Sequence, residues 1–336
     1  MTDQGRSVLT SARRIGRTVA LVVPLAASLL AFPSGMVPMT ACWLIAYTAA
    51  AVRRQRAIML LIAPVLVVLV KRVDWPLGLW AFMAAVLAAI AVSAVSRSTH
   101  KDRRYLISVL VWVTWLGFAI DSRRAVRVNH AARALDGRPI VCIGDSLTSY
   151  TKNGGYPEVL AEMVAVPVVN LGQPGVTSAE ALRKLPDLVA AKPQIVVIEL
   201  GGHDFLKDSS LFKSASRALT KANIEALVEA ARQSNAEVVL IEVPRGFVVD
   251  PYAGLERQIA REQGVALISD AVIRQFVLSS PVAPPGMWLG GPYLSDDGLH
   301  PNRRGNLLLA RAVLEALERV YGPVVRRVET EVDKTR

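Results

Sequence analysis

Four histidines occur in the 336 residues, so each imidazole able to move a proton can be weighed singly. His203 lies in ELGGHDFL (199–206) and His300 in SDDGLHPN (295–302), while a serine, Ser146, sits in GDSLTS (144–149). A serine hydroxyl is a weak nucleophile until a base is positioned beside it. Asp297, three residues before His300, can accept from one ring nitrogen and hold the other toward a hydroxyl, the arrangement an orienter and base require. The bland readings stand beside these: Ser146 as a helix N-cap, and Asp297 with His300 as a loop turn and a cap. His100 and His130 fall in basic segments and read as solvated.

These residues need a scaffold that gathers them. PIVCIG (139–144), VPVVNLG (166–172), QIVVIELG (194–201), AEVVLIEVP (236–244) and GVALIS (264–269) read as buried strands. Their unbroken apolarity and β-branched content suit a parallel sheet covered on both faces. Helical patterns lie between them at 155–165, 178–191, 214–234 and 252–263, with a last one near 303–321. Such alternation predicts an α/β fold, a three-layer α/β/α sandwich with a parallel five-stranded sheet. In open sheets of this kind functional groups collect at the carboxyl ends of the strands. GDSLTS, NLGQPG, GGHDF and SDDGLHPN would then converge on one edge.

Several chemistries are excluded on the same residues. Two histidines and no paired cysteines fall short of a metal ligand set, and no G-x-G-x-x-G follows a strand to hold a dinucleotide. No cofactor is expected. Cys142 reads as a small core residue and Cys42 as part of an apolar run, so no disulfide framework is implied.

The N-terminal part is different in kind. Residues 1–135 hold 17 Lys and Arg against 4 Asp and Glu, and residues 136–336 hold 22 against 24, so the net +11 belongs to the N-terminal part alone. The basic residues lie between apolar runs at 18–32, 36–52, 57–70, 75–95 and 105–120, which points to a membrane and away from nucleic acid. A span takes about 20 apolar residues, with shorter runs extended by snorkelling ends. The expected organisation is an all-α membrane domain of about five transmembrane helices (1–121), a linker (122–137), the α/β domain (138–322) and a charged tail (323–336). A cleaved signal peptide explains the first run alone and leaves the others unaccounted for. Basic loops stay on the cytoplasmic side, which with five spans puts the α/β domain outside the cytoplasm. If the run at 57–70 only dips into the membrane, the domain faces the cytoplasm.

The four polar clusters carry a family resemblance. From about Pro139 to Leu317 the chain resembles the SGNH/GDSL hydrolases, and within them the thioesterase I and arylesterase branch. The matching blocks are GDSLT, NLGQPG, GGHD and DGLHPN, in family order. The resemblance implies a flavodoxin-like sheet and an acyl-enzyme mechanism with Ser146 as nucleophile, His300 as general base and Asp297 as its orienter. It also implies an oxyanion hole from the N–H groups of Ser146 and Gly172 and the side chain of residue 203. The family carries Asn in its third block where this chain has His203. An imidazole N–H is a competent donor; the alternatives are that His203 is another general base or that it marks lost activity. Asp145 and Asp204 read as supports that fix backbone through side-chain hydrogen bonds. The implied function is a membrane-anchored serine esterase for acylated small molecules, lipids or glycans. An acyltransferase or deacetylase of envelope glycans and a non-catalytic binding domain stand as alternatives.

Overall fold

Three of the apolar runs are helices: α1 (Met36–Val52), α2 (Leu77–Val95) and α3 (Lys101–Arg124). The computed structural model describes residues 36–52, 77–95, 101–124, 135–149, 155–208, 214–245, 252–278 and 293–322. The chain divides into two units, Met1–Ser122 with Gly246–Asp250 and Arg123–Arg245 with Pro251–Arg336. In the first unit, small and polar residues hold the helices together. Trp112 Nε1 donates to Thr48 Oγ1 and Trp115 Nε1 to Thr40 Oγ1, each at 3.0 Å, tying α3 to α1. A Cβ on Gly78 would lie 2.8 Å from the Gly117 carbonyl oxygen, so α2 and α3 meet backbone to backbone, with Phe82 and Phe118 stacked beside them. Leu106, Val109, Leu110, Val113, Leu116 and Ile120 stay exposed, at the three- and four-residue spacing of one face of α3.

The described residues do not support the expectation of five membrane crossings. Among the described residues no helix is long and apolar enough to cross a membrane. The 17 residues of α1 and 19 of α2 reach only about 25–28 Å at ~1.5 Å per residue, against a hydrocarbon core of ~30 Å. The 24 residues of α3 carry Lys101, Arg103 and Arg104 at one end and Arg123 and Arg124 at the other, which shortens its apolar middle. The runs at 18–32 and 57–70 lie outside the described residues.

In the second unit the apolar runs become five parallel strands: β1 (Ile140–Gly144), β2 (Val168–Asn170), β3 (Ile195–Glu199), β4 (Glu237–Ile241) and β5 (Ala266–Ile268), in the order β2-β1-β3-β4-β5. The helices are α4 (Tyr156–Met163), α5 (Ser178–Ala181), α6 (Leu185–Ala190), α7 (Gly202–Lys207), α8 (Ser214–Gln233), α9 (Leu255–Gln263), α10 (Ala271–Leu278) and α11 (Arg303–Tyr321). The side-chain period of two splits each strand between two cores. Ile140, Cys142, Ile195 and Val197 pack with Leu160, Phe276 and Leu309 of α4, α10 and α11. Val141, Ile143, Val196 and Ile198 pack with Leu188, Ile224 and Ile259 of α6, α8 and α9. This is the parallel five-stranded α/β sandwich expected from the strand pattern. The pattern left out α7 and α10 and ran α5 and α6 together; a 3₁₀ turn at Leu182–Lys184 separates them, with Pro186 starting the next helix.

Candidate active site

The site grows from the end of β1. Gly144 pairs with Glu199 across β1 and β3, and the chain then turns through Asp145–Ser149, with the Thr148 and Ser149 N–H groups donating to the Asp145 carbonyl oxygen. The Asp145 side chain accepts from the Leu147 N–H at 3.0 Å, so the capping group of this turn is Asp145 and Ser146 is left for other work. Among the described residues the Ser146 N–H has no partner, and its residue is 7% exposed. Burial raises the Asp145 carboxyl above its ordinary range, opposed by the Leu147 N–H and by the nearby His203.

The partner of Ser146 arrives from 154 positions downstream. His300 Nε2 lies 3.2 Å from Ser146 Oγ, and His300 Nδ1 lies 2.7 Å from Asp297 Oδ2. The other oxygen of Asp297 accepts the Leu299 and His300 N–H groups and the Ser295 hydroxyl at 2.8, 2.8 and 3.0 Å. Burial works to raise Asp297, but the His300 side chain and these backbone donors outweigh it and hold the carboxyl well below the usual range. With Asp297 ionised, the proton between them sits on Nδ1, and Nε2 is left to accept from Ser146. Ser295, fully buried, also accepts the Gly298 N–H at 2.9 Å and so pins the turn from within. Asp296 is engaged elsewhere: its Oδ1 accepts from Asn302 Nδ2, and Asn302 in turn caps α11. That separates the two adjacent acids by role.

The loop after β2 docks on the nucleophile turn. The Gln173 N–H donates to the Gly144 carbonyl oxygen, and a Cβ on Gly172 would lie 2.7 Å from Thr148 Cγ2. The Gly172 N–H, expected as an oxyanion donor, is engaged: it donates to Asn170 Oδ1 at 2.8 Å. Asn170 reaches Gly172 because a short amide side chain can bond the backbone two residues on. Next in the loop, the Val176 N–H donates to the Gln173 carbonyl oxygen around Pro174 and Gly175, with Gly175 at φ +78°. This is the type II turn that Pro-Gly favours, and among the described residues the Gly175 N–H has no partner.

His203 lies in the first turn of α7, entered through Gly201 at φ +104°. That entry is held by Arg245, whose Nε donates to the Gly201 carbonyl oxygen and whose Nη2 donates to that of Leu200 and pairs with Glu256. A Cβ on Gly202 would come 2.9 Å from Asp145 Oδ2, so the α7 entry abuts the nucleophile turn. Asp204 binds the start of α5 through Ser178, and Asn223 braces the Ser178 hydroxyl. Cys142 is buried in the core, and burial pushes its thiol up to about 12.

Sequence reasoning missed Glu199, Ser295 and Arg245. The signal for Glu199 was present, since a carboxyl ending an otherwise apolar strand must find partners. Arg245 and Ser295 offered no such signal. Among the described residues no cluster of three or more His, Cys, Asp or Glu could hold a metal ion.

Residues 142–308 match the GDSL-like Lipase/Acylhydrolase family. Thioesterase 1/protease 1/lysophospholipase L1 of Escherichia coli is 24% identical over 197 residues, 55% of this chain and 86% of its own. Esterase TesA of Pseudomonas aeruginosa is 28% identical over 176 residues, 48% of this chain and 79% of its own. Among solved structures, one of TesA aligns at a TM-score of 0.43 with 25% identity, over 54% of this chain and 99% of its own.

Proposed function

We propose that the C-terminal unit is a serine hydrolase of the GDSL/SGNH kind acting on esters, in line with its match to the GDSL-like Lipase/Acylhydrolase family and its likeness to a thioesterase and an esterase. Ser146 Oγ attacks the acyl carbonyl while His300 Nε2 takes the hydroxyl proton; His300 then returns that proton to the leaving oxygen or sulfur. Asp297 steadies the imidazolium between these steps. Water, deprotonated by the same imidazole, releases the acyl group from Ser146. The carrying observation is the 3.2 Å approach of Ser146 Oγ to His300 Nε2, with Asp297 on the opposite ring nitrogen. The oxyanion is received by the free Ser146 N–H and the His203 imidazole, with the Gly175 N–H taking the place expected for Gly172. The substrate class is an acyl ester or thioester, in line with relatives named thioesterase, lysophospholipase and esterase. Exposed Leu299, next to His300, and Leu206, one turn after His203, offer apolar surface to an acyl chain. A fluorophosphonate probe tests the mechanism: wild type labels, and Ser146→Ala does not. A folded wild type that stays unlabelled overturns it.

The proposal includes attachment to a membrane, with residues 1–121 as the embedded part, 122–137 as linker, 138–322 as the hydrolase and 323–336 as tail. Its support is the apolar stripe exposed on α3 and the basic residues at both ends of that helix. Apolar surface of this extent needs a cover, and Lys and Arg at helix ends suit headgroups. We place the hydrolase outside the cytoplasm. Labelling of intact cells by an impermeant fluorophosphonate, with the labelled chain retained in membranes after alkaline washing, is the expected result. Labelling only after permeabilisation reverses the sidedness, and release by the wash removes the anchor.

A further inference from the structure

The nucleophile turn rests on a carboxyl group that the mechanism above does not use. Glu199 closes the central strand β3, is completely buried, and stands opposite Gly144 in the β1–β3 register. Its Oε2 accepts the Asp145 N–H at 3.2 Å and the Thr148 hydroxyl at 3.0 Å, the two ends of the turn that carries Ser146. Among the described residues its buried Oε1 has no hydrogen-bond partner. Gly144 leaves room for this group, because a Cβ there would come 2.8 Å from Glu199 Oε2 and collide with Thr148 Oγ1. A buried polar group under the reacting residue, with a glycine opposite it, is a built feature and not a chance burial.

We propose that Glu199 is a positioning residue for the nucleophile: its carboxyl holds the Asp145 N–H and the Thr148 hydroxyl from beneath, so that the Ser146 N–H stays free and Ser146 Oγ faces His300. The inference rests on the reading of Ser146 as nucleophile. Glu199 does this as a neutral acid. Burial and the adjacent Asp145 carboxylate drive its protonation, the hydroxyl of Tyr156 also faces it, and the His203 ring and the Arg245 guanidinium act on Asp145. A second buried negative charge beside Asp145 would repel it and draw the turn apart.

Two measurements on the full chain test this. The first is kcat, normalised to sites titrated with a fluorophosphonate, so that misfolded molecules do not count. Glu199→Gln, which keeps the acceptor and neutrality, is expected to lose less than about fivefold, and Glu199→Leu on the order of 10- to 100-fold, with KM little changed in both. Equal kcat per titrated site in wild type and Glu199→Leu overturns the proposal. The second is an infrared difference spectrum between wild type and Glu199→Gln near neutral pH. A protonated carboxyl band present only in wild type supports the neutral acid, and a carboxylate signature in its place overturns it. The spectrum reads out even where the probe fails to label wild type, so failure of the serine mechanism and failure of the Glu199 role give different results.

Discussion

Asp204 grips Ser178 twice: Oδ2 accepts the Ser178 N–H at 2.8 Å, and Oδ1 accepts its hydroxyl at 2.6 Å. Oδ1 also faces the Thr220 hydroxyl at 3.1 Å, so one carboxylate joins α7, the start of α5 and α8. The loop that carries Gly175 and the turn that carries His203 are therefore held in register by an acid that takes no chemical step.

Asp204→Ala should lower kcat by about tenfold or more while KM changes little, because the reacting groups lose alignment before the substrate loses its contacts. It should also destabilise the domain by about 1–3 kcal/mol through the unsatisfied Ser178 N–H. Steady-state kinetics on a soluble ester, with thermal melts alongside, check both. A lower melting temperature with unchanged kcat would leave Asp204 as scaffolding only.

Ser295 and Asp297 should separate by magnitude. Asp297→Asn removes the carboxylate that fixes the His300 tautomer and should cut kcat by about 10³- to 10⁴-fold. Ser295→Ala only loosens the turn that aims that carboxylate, and a loss on the order of tenfold is expected. Equal losses in the two variants would mean that Ser295 does more than position.

At position 203, His203→Asn should keep a substantial fraction of activity, since an amide N–H can donate where the imidazole does. His203→Ala should fall by about 100- to 1000-fold, the usual effect of removing one oxyanion donor. Initial rates at saturating ester decide this, and an alanine variant as active as wild type would take His203 out of the oxyanion hole.

Glu256 offers a stability test. Burial pushes its carboxyl from 4.5 to about 7, against the opposing pull of Arg245. The folded value lies above the unfolded one, so the stability it contributes is complete below the unfolded value and is lost as pH rises through about 7. Melting temperatures measured from about pH 5 to 8 should fall more steeply in wild type than in Glu256→Gln, which has no proton to release there. Parallel curves would show that Glu256 stays ionised throughout.

Much of the scaffold was legible because burial on both faces writes itself into a strand as an unbroken apolar run. All five strands fall inside runs such as QIVVIELG, and the carboxyl ends of β1, β2 and β3 lead into three of the polar blocks that form the site. Short helices were harder. Gly202–Lys207 spans six residues and begins with Gly-His-Asp, a stretch whose propensity favours a turn and whose helix is maintained by Asp204 and Arg245. The N-terminal runs were legible as helices at α1, α2 and α3, but apolarity measures what a segment avoids and does not set how far its helix extends.

Ser146, His300 and Asp297 could be picked out by type and spacing, because a carboxylate three residues before an imidazole and a serine after a strand are local patterns. Which N–H groups are free is not local. Gly172 and Gly175 sit three residues apart in the same loop, and only the folded chain shows that Asn170 takes the N–H of the first while that of the second, in the Pro-Gly turn, has no partner among the described residues. Glu199 is the same kind of case. Its letter in the sequence shows a charge to be neutralised, and the register with Gly144 decides that it lies under the nucleophile. Hydrogen bonds within about four residues are set by neighbours along the chain, whereas those that aim a site are set by which strand ends lie side by side, and that is a property of the sheet.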